Sequence, residues 1–352
     1  MKRTIGRALV LLLIMVLSVS FILTGCSKPQ EATAPAPQPK RVITDQIGRE
    51  VELPDKIERV AALHIFGAKI VYALGQGDKM CHKGIYGKEG EALERLDPKF
   101  AALPSVEQSN HKQINVESLL GIKPDVVFVY AAFDQSDVEK FTEAGMTVVG
   151  IKGETLEEAY EAVRLIGEVL ECPDKAKVFN AYVEDNMNMV KERVAGIPED
   201  KKPKVLVTGP KNIYTAATGE MLQNTMVETA GGVNVAKDVK GFWAELSPEQ
   251  IVAWNPDYIF LASSFGTNGV ADVMNNPALK TVNAVVNKRI YVFPSNISWW
   301  DFPLPQAMLG IVWTGKTINT DKFEDVDITK LADEYYKSFI GYTFTEMGGK
   351  LE

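Results

Sequence analysis

After residue 26 this sequence contains no apolar run approaching 18 residues, so nothing in the body of the chain is long enough to span a bilayer. It has three cysteines and three histidines (His64, His82 and His111). None stands at metal-ligand spacing: there is no HxxxH and no Cys-His pattern, which disfavours capture of a bare metal ion. There is no P-loop, no GxGxxG after a strand, and no Gly-x-Ser-x-Gly elbow. Those absences argue against a nucleotide-binding or hydrolytic enzyme. A basic excess is missing too. The 352 residues carry 46 acidic and 38 basic side chains, a formal net charge of −8. Such a surface disfavours nucleic acid and polybasic membrane contact.

The one strongly apolar stretch is N-terminal. Lys2, Arg3 and Arg7 precede an apolar run over 8–23 broken only by Ser18 and Ser20, the pattern of a secretory signal. It ends in Leu23-Thr24-Gly25-Cys26, which resembles the lipobox of bacterial lipoproteins. The resemblance implies cleavage before Cys26 and a diacylglyceryl anchor on its thiol, each buried methylene contributing about 0.8 kcal/mol. Without the signal, 35 basic residues face 46 acidic ones, a net charge of −11. Pro29, Pro35, Pro37 and Pro39 among Ala, Gln and Thr make 27–40 an extended tether. The chain is therefore expected outside the cytoplasm, held to a membrane surface. Cys81 and Cys172 remain, either paired or as two buried thiols.

Beyond the tether, short apolar strands alternate with helices. Strands are expected over 59–63, 125–130 and 147–150, with helices over 68–74 and 137–143. This alternation implies parallel βαβ units. Thr155 and Glu158 form a capping-box pattern for a helix reaching about residue 171. Pro173 opens a longer helix to about residue 195, with Val178, Tyr182, Met189 and Val194 as its apolar stripe. Alternation then resumes, with strands over 204–208, 258–262 and 289–293 and a helix near 221–229. The expected organisation is a signal (1–26), a tether (27–40), an α/β lobe (41–172), a linking helix (173–197) and a second α/β lobe (198–352).

The two halves share a phrase. One copy runs from Ile114-Asn115-Val116-Glu117 to Lys123-Pro124-Asp125-Val126-Val127-Phe128. The other runs from Leu246-Ser247-Pro248-Glu249 to Asn255-Pro256-Asp257-Tyr258-Ile259-Phe260. Each reads as a capped helix with an early glutamate, a Pro-Asp turn and a strand. A repeat of this kind points to two lobes of like architecture.

Together with the lipobox, the segments Asp45-Gln46-Ile47-Gly48-Arg49-Glu50-Val51-Glu52-Leu53-Pro54 and Arg59-Val60-Ala61, both Pro-Asp phrases and the tail Leu309-Gly310-Ile311-Val312-Trp313 resemble class III solute-binding proteins of ABC importers. The likeness covers nearly all of 41–340. It implies two Rossmann-like lobes with central parallel sheets, joined by one rigid helix around a cleft. It implies no intrinsic cofactor and no enzymatic activity. Its cargo would be a small-molecule metal complex: a ferric siderophore or haem, with a corrinoid or a molybdate-type oxyanion as alternatives. The expected partner is a permease dimer with its ATPase, served by a monomeric binding protein. The resemblance also assigns Glu117 and Glu249 to docking on permease arginines. Stabilisation of a helix first turn would place glutamate there as well.

Ligands of open α/β lobes sit beyond the carboxyl ends of strands. That rule selects His64, Tyr86 and Tyr130, with Phe133 beyond, in the first lobe. In the second it selects Tyr214, Phe242-Trp243 and Ser298-Trp299-Trp300-Asp301-Phe302. His64 reads more readily as a packed, hydrogen-bonded residue than as a ligand contact, and Trp300 or Phe302 also reads as a plug. Aromatic walls suit flat or chelated ligands. The nearest cations are Lys152, Lys211, Lys240 and Arg289; so few basic residues favour a neutral or cationic complex.

Overall fold

A computed structural model describes residues 41–106, 114–263 and 268–351, with only the backbone of Asn268. The signal, Cys26, the tether and His111 lie outside the described residues. A hairpin that periodicity is too short to announce opens the body: β1 (Arg41–Thr44) pairs antiparallel with β2 (Glu50–Leu53). Asp45 closes its turn by accepting from the Ile47 and Arg49 amides. Next come β3 (Val60–Ala62), β4 (Val126–Tyr130) and β5 (Val148–Ile151), parallel and in that order. They are almost wholly buried, as parallel strands covered on both faces must be. The connecting helices are α1 (Ile65–Ala73), α2 (Gly87–Leu96), α3 (Pro98–Ala102), α4 (Val116–Gly121), α5 (Ser136–Glu143) and α6 (Leu156–Val169).

The link is α7 (Pro173–Val194), with proline in its first turn. Its buried stripe is Ala176, Phe179, Val183, Met187, Val190 and Val194. This corrects the expected stripe: Val178 is exposed, and Met189 and Tyr182 are only half-buried. The true set repeats every three to four residues and faces α6 and the C-terminal helices.

The second sheet is built from β6 (Lys204–Thr208), β7 (Thr215–Ala217), β8 (Val233–Asn234), β9 (Trp243–Glu245), β10 (Tyr258–Leu261) and β11 (Ile290–Val292). The order is β11-β10-β6-β7-β9, with β8 also on β6. β6, β10 and β11 are parallel; β7 runs antiparallel to β6 and β9. Its helices are α8 (Leu222–Thr229), α9 (Pro248–Trp254), α10 (Asn268–Met274), α11 (Asn283–Val286), α12 (Ala307–Ile318) and α13 (Ile328–Phe339). No helix among the described residues is long and apolar enough to cross a membrane.

The repeated phrase has a structural equivalent at a constant offset. The Asn115 and Ser247 side chains cap α4 and α9. Lys123 and Asn255 both turn the chain with φ 47°. Asp125 Oδ2 then accepts from the Glu58 and Arg59 amides at 2.8 Å, while Asp257 Oδ2 accepts from the Lys204 amide at 3.0 Å. Each aspartate thus ties its own strand to the start of the neighbouring parallel strand, setting register. One continuous core runs from Phe66 through Val190 of α7 to Trp300. A smaller core lies on the outer face of each sheet. The lobes therefore share packed interior, which makes α7 a stiff joint rather than a free hinge. Cys81 and Cys172 are both free thiols, and burial pushes the Cys81 thiol up to about 11.

Candidate functional site

β3 ends just before His64, the N-cap of α1. His64 has extended backbone, and its Nδ1 accepts from the Phe66 amide at 3.2 Å. With that lone pair occupied, the neutral ring carries its proton on Nε2. Burial pushes the imidazole down to about 4, so at neutral pH His64 is an uncharged N–H donor. Its ring stacks on Tyr130, centroids 4.4 Å apart and planes 24° apart. Tyr130 ends β4 and donates its hydroxyl to Glu154. Burial, then Glu154, holds that phenol well above its ordinary range; burial likewise raises the Glu154 carboxyl. Phe66 braces Tyr130 edge-on at 5.5 Å. It can do so because residue 153 is glycine: a Cβ there would sit 2.3 Å from the Phe66 ring.

A second aromatic group comes from the antiparallel part of the second sheet. Trp243 opens β9 and is half-buried against the shared core. Phe242, just before it, is 47% exposed, and Phe133, beyond β4, is 71% exposed. Their rings meet edge to face with centroids 5.8 Å apart. This pair joins a loop of the first lobe to a loop of the second. Trp299 is 44% exposed and lies 5.6 Å from the Phe302 ring.

Six of the seven expected contact residues, His64, Tyr86, Tyr130, Tyr214, Trp243 and Trp299, keep accessible surface. Trp300 does not: it is 0% exposed, packed on Phe344 with centroids 5.5 Å apart. It is a core residue, which corrects its expected place against ligand. Tyr86 donates its hydroxyl to the Val106 carbonyl at 3.0 Å, and Tyr214 accepts from Asn276 Nδ2 at 2.6 Å. Both phenols therefore have structural partners already. Glu117 and Glu249 stand exposed in the first turns of α4 and α9.

The sequence pattern does not announce a buried polar junction between the lobes. Lys69 of α1 is fully buried and donates to Glu89 Oε2 of α2 at 2.7 Å and to Ser298 Oγ at 2.8 Å. Gln306 Nε2 also donates to Ser298 Oγ, at 2.8 Å. Burial pushes the Lys69 ammonium down, against the pull of Glu89. The ion pair thus anchors the loop that carries Trp299 to the first lobe. Next to it, Asp301 is buried and holds Ser263, at the end of β10, through its hydroxyl at 2.5 Å and its amide at 3.2 Å. Burial raises the Asp301 carboxyl to about 6. Lys69 and Glu89 are 20 residues apart with no helical or strand periodicity between them, so no local pattern marks the pair.

A family model described as periplasmic binding protein matches residues 60–297. The molybdate-binding protein MolA of Haemophilus influenzae is 28% identical over 326 residues, 85% of this chain and 90% of that protein. Its molybdate-bound structure superposes with a TM-score of 0.72 at 26% identity, covering 86% and 98% of the two chains. An uncharacterized ABC transporter substrate-binding lipoprotein of Bacillus subtilis, YvrC, is 25% identical over 337 residues, 92% of this chain and 100% of its own. A periplasmic solute-binding protein of Veillonella parvula superposes with a TM-score of 0.73 at 30% identity, covering 88% and 95%. With two α/β lobes, one linking helix and a match across most of its length, the chain belongs to the periplasmic binding protein family, as a non-enzymatic, class III substrate-binding protein of the ABC transporter type.

Proposed function

We propose that the chain traps a compact metal-containing solute, with molybdate-type oxyanions as the leading class, and hands it to an importer's permease. The observation that carries this reading is the Phe133–Phe242 contact. It joins a loop of the first lobe to a loop of the second, which suits a small cargo better than a broad plate. His64 adds an uncharged Nε2–H donor at the start of α1, the kind of group on which oxyanions rest. The similarity to MolA over most of both chains supports the same class. In this reading His64, Tyr130, Trp243 and Trp299 touch cargo. Cys26 and the 27–40 tether keep the trap at high local concentration over the importer, and Glu117 and Glu249 dock.

One observation favours a second reading, a ferric siderophore, haem or corrinoid. The walls are aromatic and poor in cations: Lys152 faces Glu158 at 3.8 Å and Lys240 faces Glu220 at 3.9 Å. The test is a titration with molybdate, tungstate, a ferric siderophore, haem and cobalamin, read by tryptophan fluorescence and melting temperature. Molybdate or tungstate is expected to quench the fluorescence and raise the Tm, with the quench reduced by Trp243→Phe. A response to the large chelates alone overturns the compact-cargo reading in favour of the second. A response to none sinks both.

A further inference from the structure

The Trp299 side chain is exposed, yet the backbone on both sides of it is tied down. Its carbonyl accepts from Gln306 Nε2 at 3.0 Å. Before it, the Ser298 amide donates to Ser295 Oγ at 3.3 Å, and that hydroxyl donates to the Ser298 carbonyl at 2.9 Å. After it, the Trp300 amide donates to the Pro294 carbonyl at 2.9 Å, and the Trp300 ring is core. An open aromatic ring on a fixed backbone is preorganised, so less freedom is lost when it closes on a ligand.

Those ties are local to the second lobe. The bond from Lys69 Nζ to Ser298 Oγ reaches the same loop from the first lobe, and Lys69 has a fixed origin. Residues 66–71 of α1 are all buried. A Cβ on Gly67 would lie 2.9 Å from Ile151 Cδ1, and one on Gly84 would lie 2.6 Å from the Ala68 Cβ, so neighbours hold the helix closely on two sides. Stability alone is a poor reason to place an ion pair there. Burying Lys69 and Glu89 costs desolvation that apolar packing avoids. Glu89 Oε1 and Gln306 Oε1 are also buried without a hydrogen-bond partner, a further cost. What apolar contact does not supply is direction. An ammonium that donates to a carboxylate at 2.7 Å and to a hydroxyl at 2.8 Å fixes where the loop sits against α1.

We propose that Lys69 and Glu89 are positioning residues for cargo binding, acting through Ser298 to hold the Trp299 ring where cargo meets it. This rests on the reading above that Trp299 touches cargo. Neither charge meets the cargo itself, since both side chains are buried. Glu89 holds the lysine, the lysine holds the Ser298 hydroxyl, and the next residue presents the ring. A small shift of a supporting group is enough to loosen such a contact.

The test is a double-mutant cycle on the full-length chain. Molybdate, tungstate, a ferric siderophore, haem and cobalamin are titrated by calorimetry, and the cycle uses whichever of them the parent binds most tightly. Lys69→Met/Glu89→Leu removes both charges, and urea unfolding reports that it folds. It is expected to weaken binding about tenfold, equivalent to about 1.4 kcal/mol. Ser298→Ala, which keeps the ion pair and removes its link to the loop, is expected to do the same. Trp299→Ala is expected to weaken binding at least as much. Joined to either of the others it is expected to cost nothing further, because the ring they position is gone. In cargo-free protein, the Ser298 and Trp300 amides of both positioning variants are expected to exchange hydrogen faster than the parent's, with β4 unchanged. Parental affinity, losses that multiply across the cycle, or parental exchange in the loop each overturn the positioning role and leave the cargo reading standing. A parent that binds none of the five probes sinks the cargo reading, and the positioning role with it.

Discussion

The two lobes start from one helix–turn–strand frame and finish it differently. In the first, three parallel strands lead to a wall made of His64 on Tyr130. In the second, parallel β6 and β10 are extended by the antiparallel step through β7 and β9, and the wall is Trp243 with Phe242. The shared frame governs strand register and the outward helices carrying Glu117 and Glu249. The aromatic groups lie mostly outside the repeat. The frame and the aromatic groups therefore rest on different residues, so one can vary without disturbing the other.

The sharpest way to break this comparison is at the junction, where the lobes stop being separate. Lys69→Met leaves Glu89 buried without its cation. It is expected to cost about 3–5 kcal/mol, read by urea unfolding, and Lys69→Met/Glu89→Leu is expected to recover most of that. A wild-type unfolding midpoint for Lys69→Met alone would show that the junction does not hold the lobes together.

Equivalence of the frames is tested next. Asp125→Ala and Asp257→Ala each orphan backbone amides at the start of a neighbouring strand, at an expected cost of about 1–3 kcal/mol. Asp125 serves two backbone amides, whereas Asp257 serves one and the Asn283 side chain, which can reorient once released, so the first is expected to cost more. The reverse order, measured by the same unfolding assay, would mean that the turns are not equivalent.

Acid separates the lobes by sign. His64 and His82, both in the first lobe, have imidazoles lowered from 6.5 to about 4. Their contribution is present above 6.5 and is lost as pH falls through about 4. Asp301, in the second lobe, is raised from 3.8 to about 6. Its contribution is full below 3.8 and is lost as pH rises through about 6. Between pH 6.5 and 4, hydrogen exchange corrected for intrinsic rate is expected to loosen around β3 and tighten around β10. Loosening of both segments alike would contradict the sign assigned to Asp301.

The smallest effect is at the rim. Phe133→Ala or Phe242→Ala removes a ring pair worth about 0.5–1.5 kcal/mol. Stopped-flow tryptophan fluorescence with tungstate is expected to show a few-fold faster association and little change in Tm. An unchanged rate would mean that the pair does not restrict access.

Much of the frame was legible because it is local. Capping residues, Pro-Asp turns and a constant spacing repeat within fifteen residues, and apolar strands separated by helices announce parallel sheets. The strands β7, β8 and β9 were not legible, since two or three residues carry no period. The α7 stripe was misplaced because Val178 is exposed and Tyr182 and Met189 are only half-buried, and composition alone does not say which side has a partner. Trp299 and Trp300 make the same point for the site: neighbours in sequence, one is exposed and the other is core.

The sequence by itself determined the strand–helix alternation, the long helix and the repeat with its early glutamates. All of these follow from patterns within one element or its immediate neighbour. Tertiary structure alone decided which aromatics keep accessible surface, that Phe133 meets Phe242, and that Lys69 reaches Ser298, 229 residues away. Those contacts depend on where whole elements pack, and burial rather than residue type selects which side chains keep an open face.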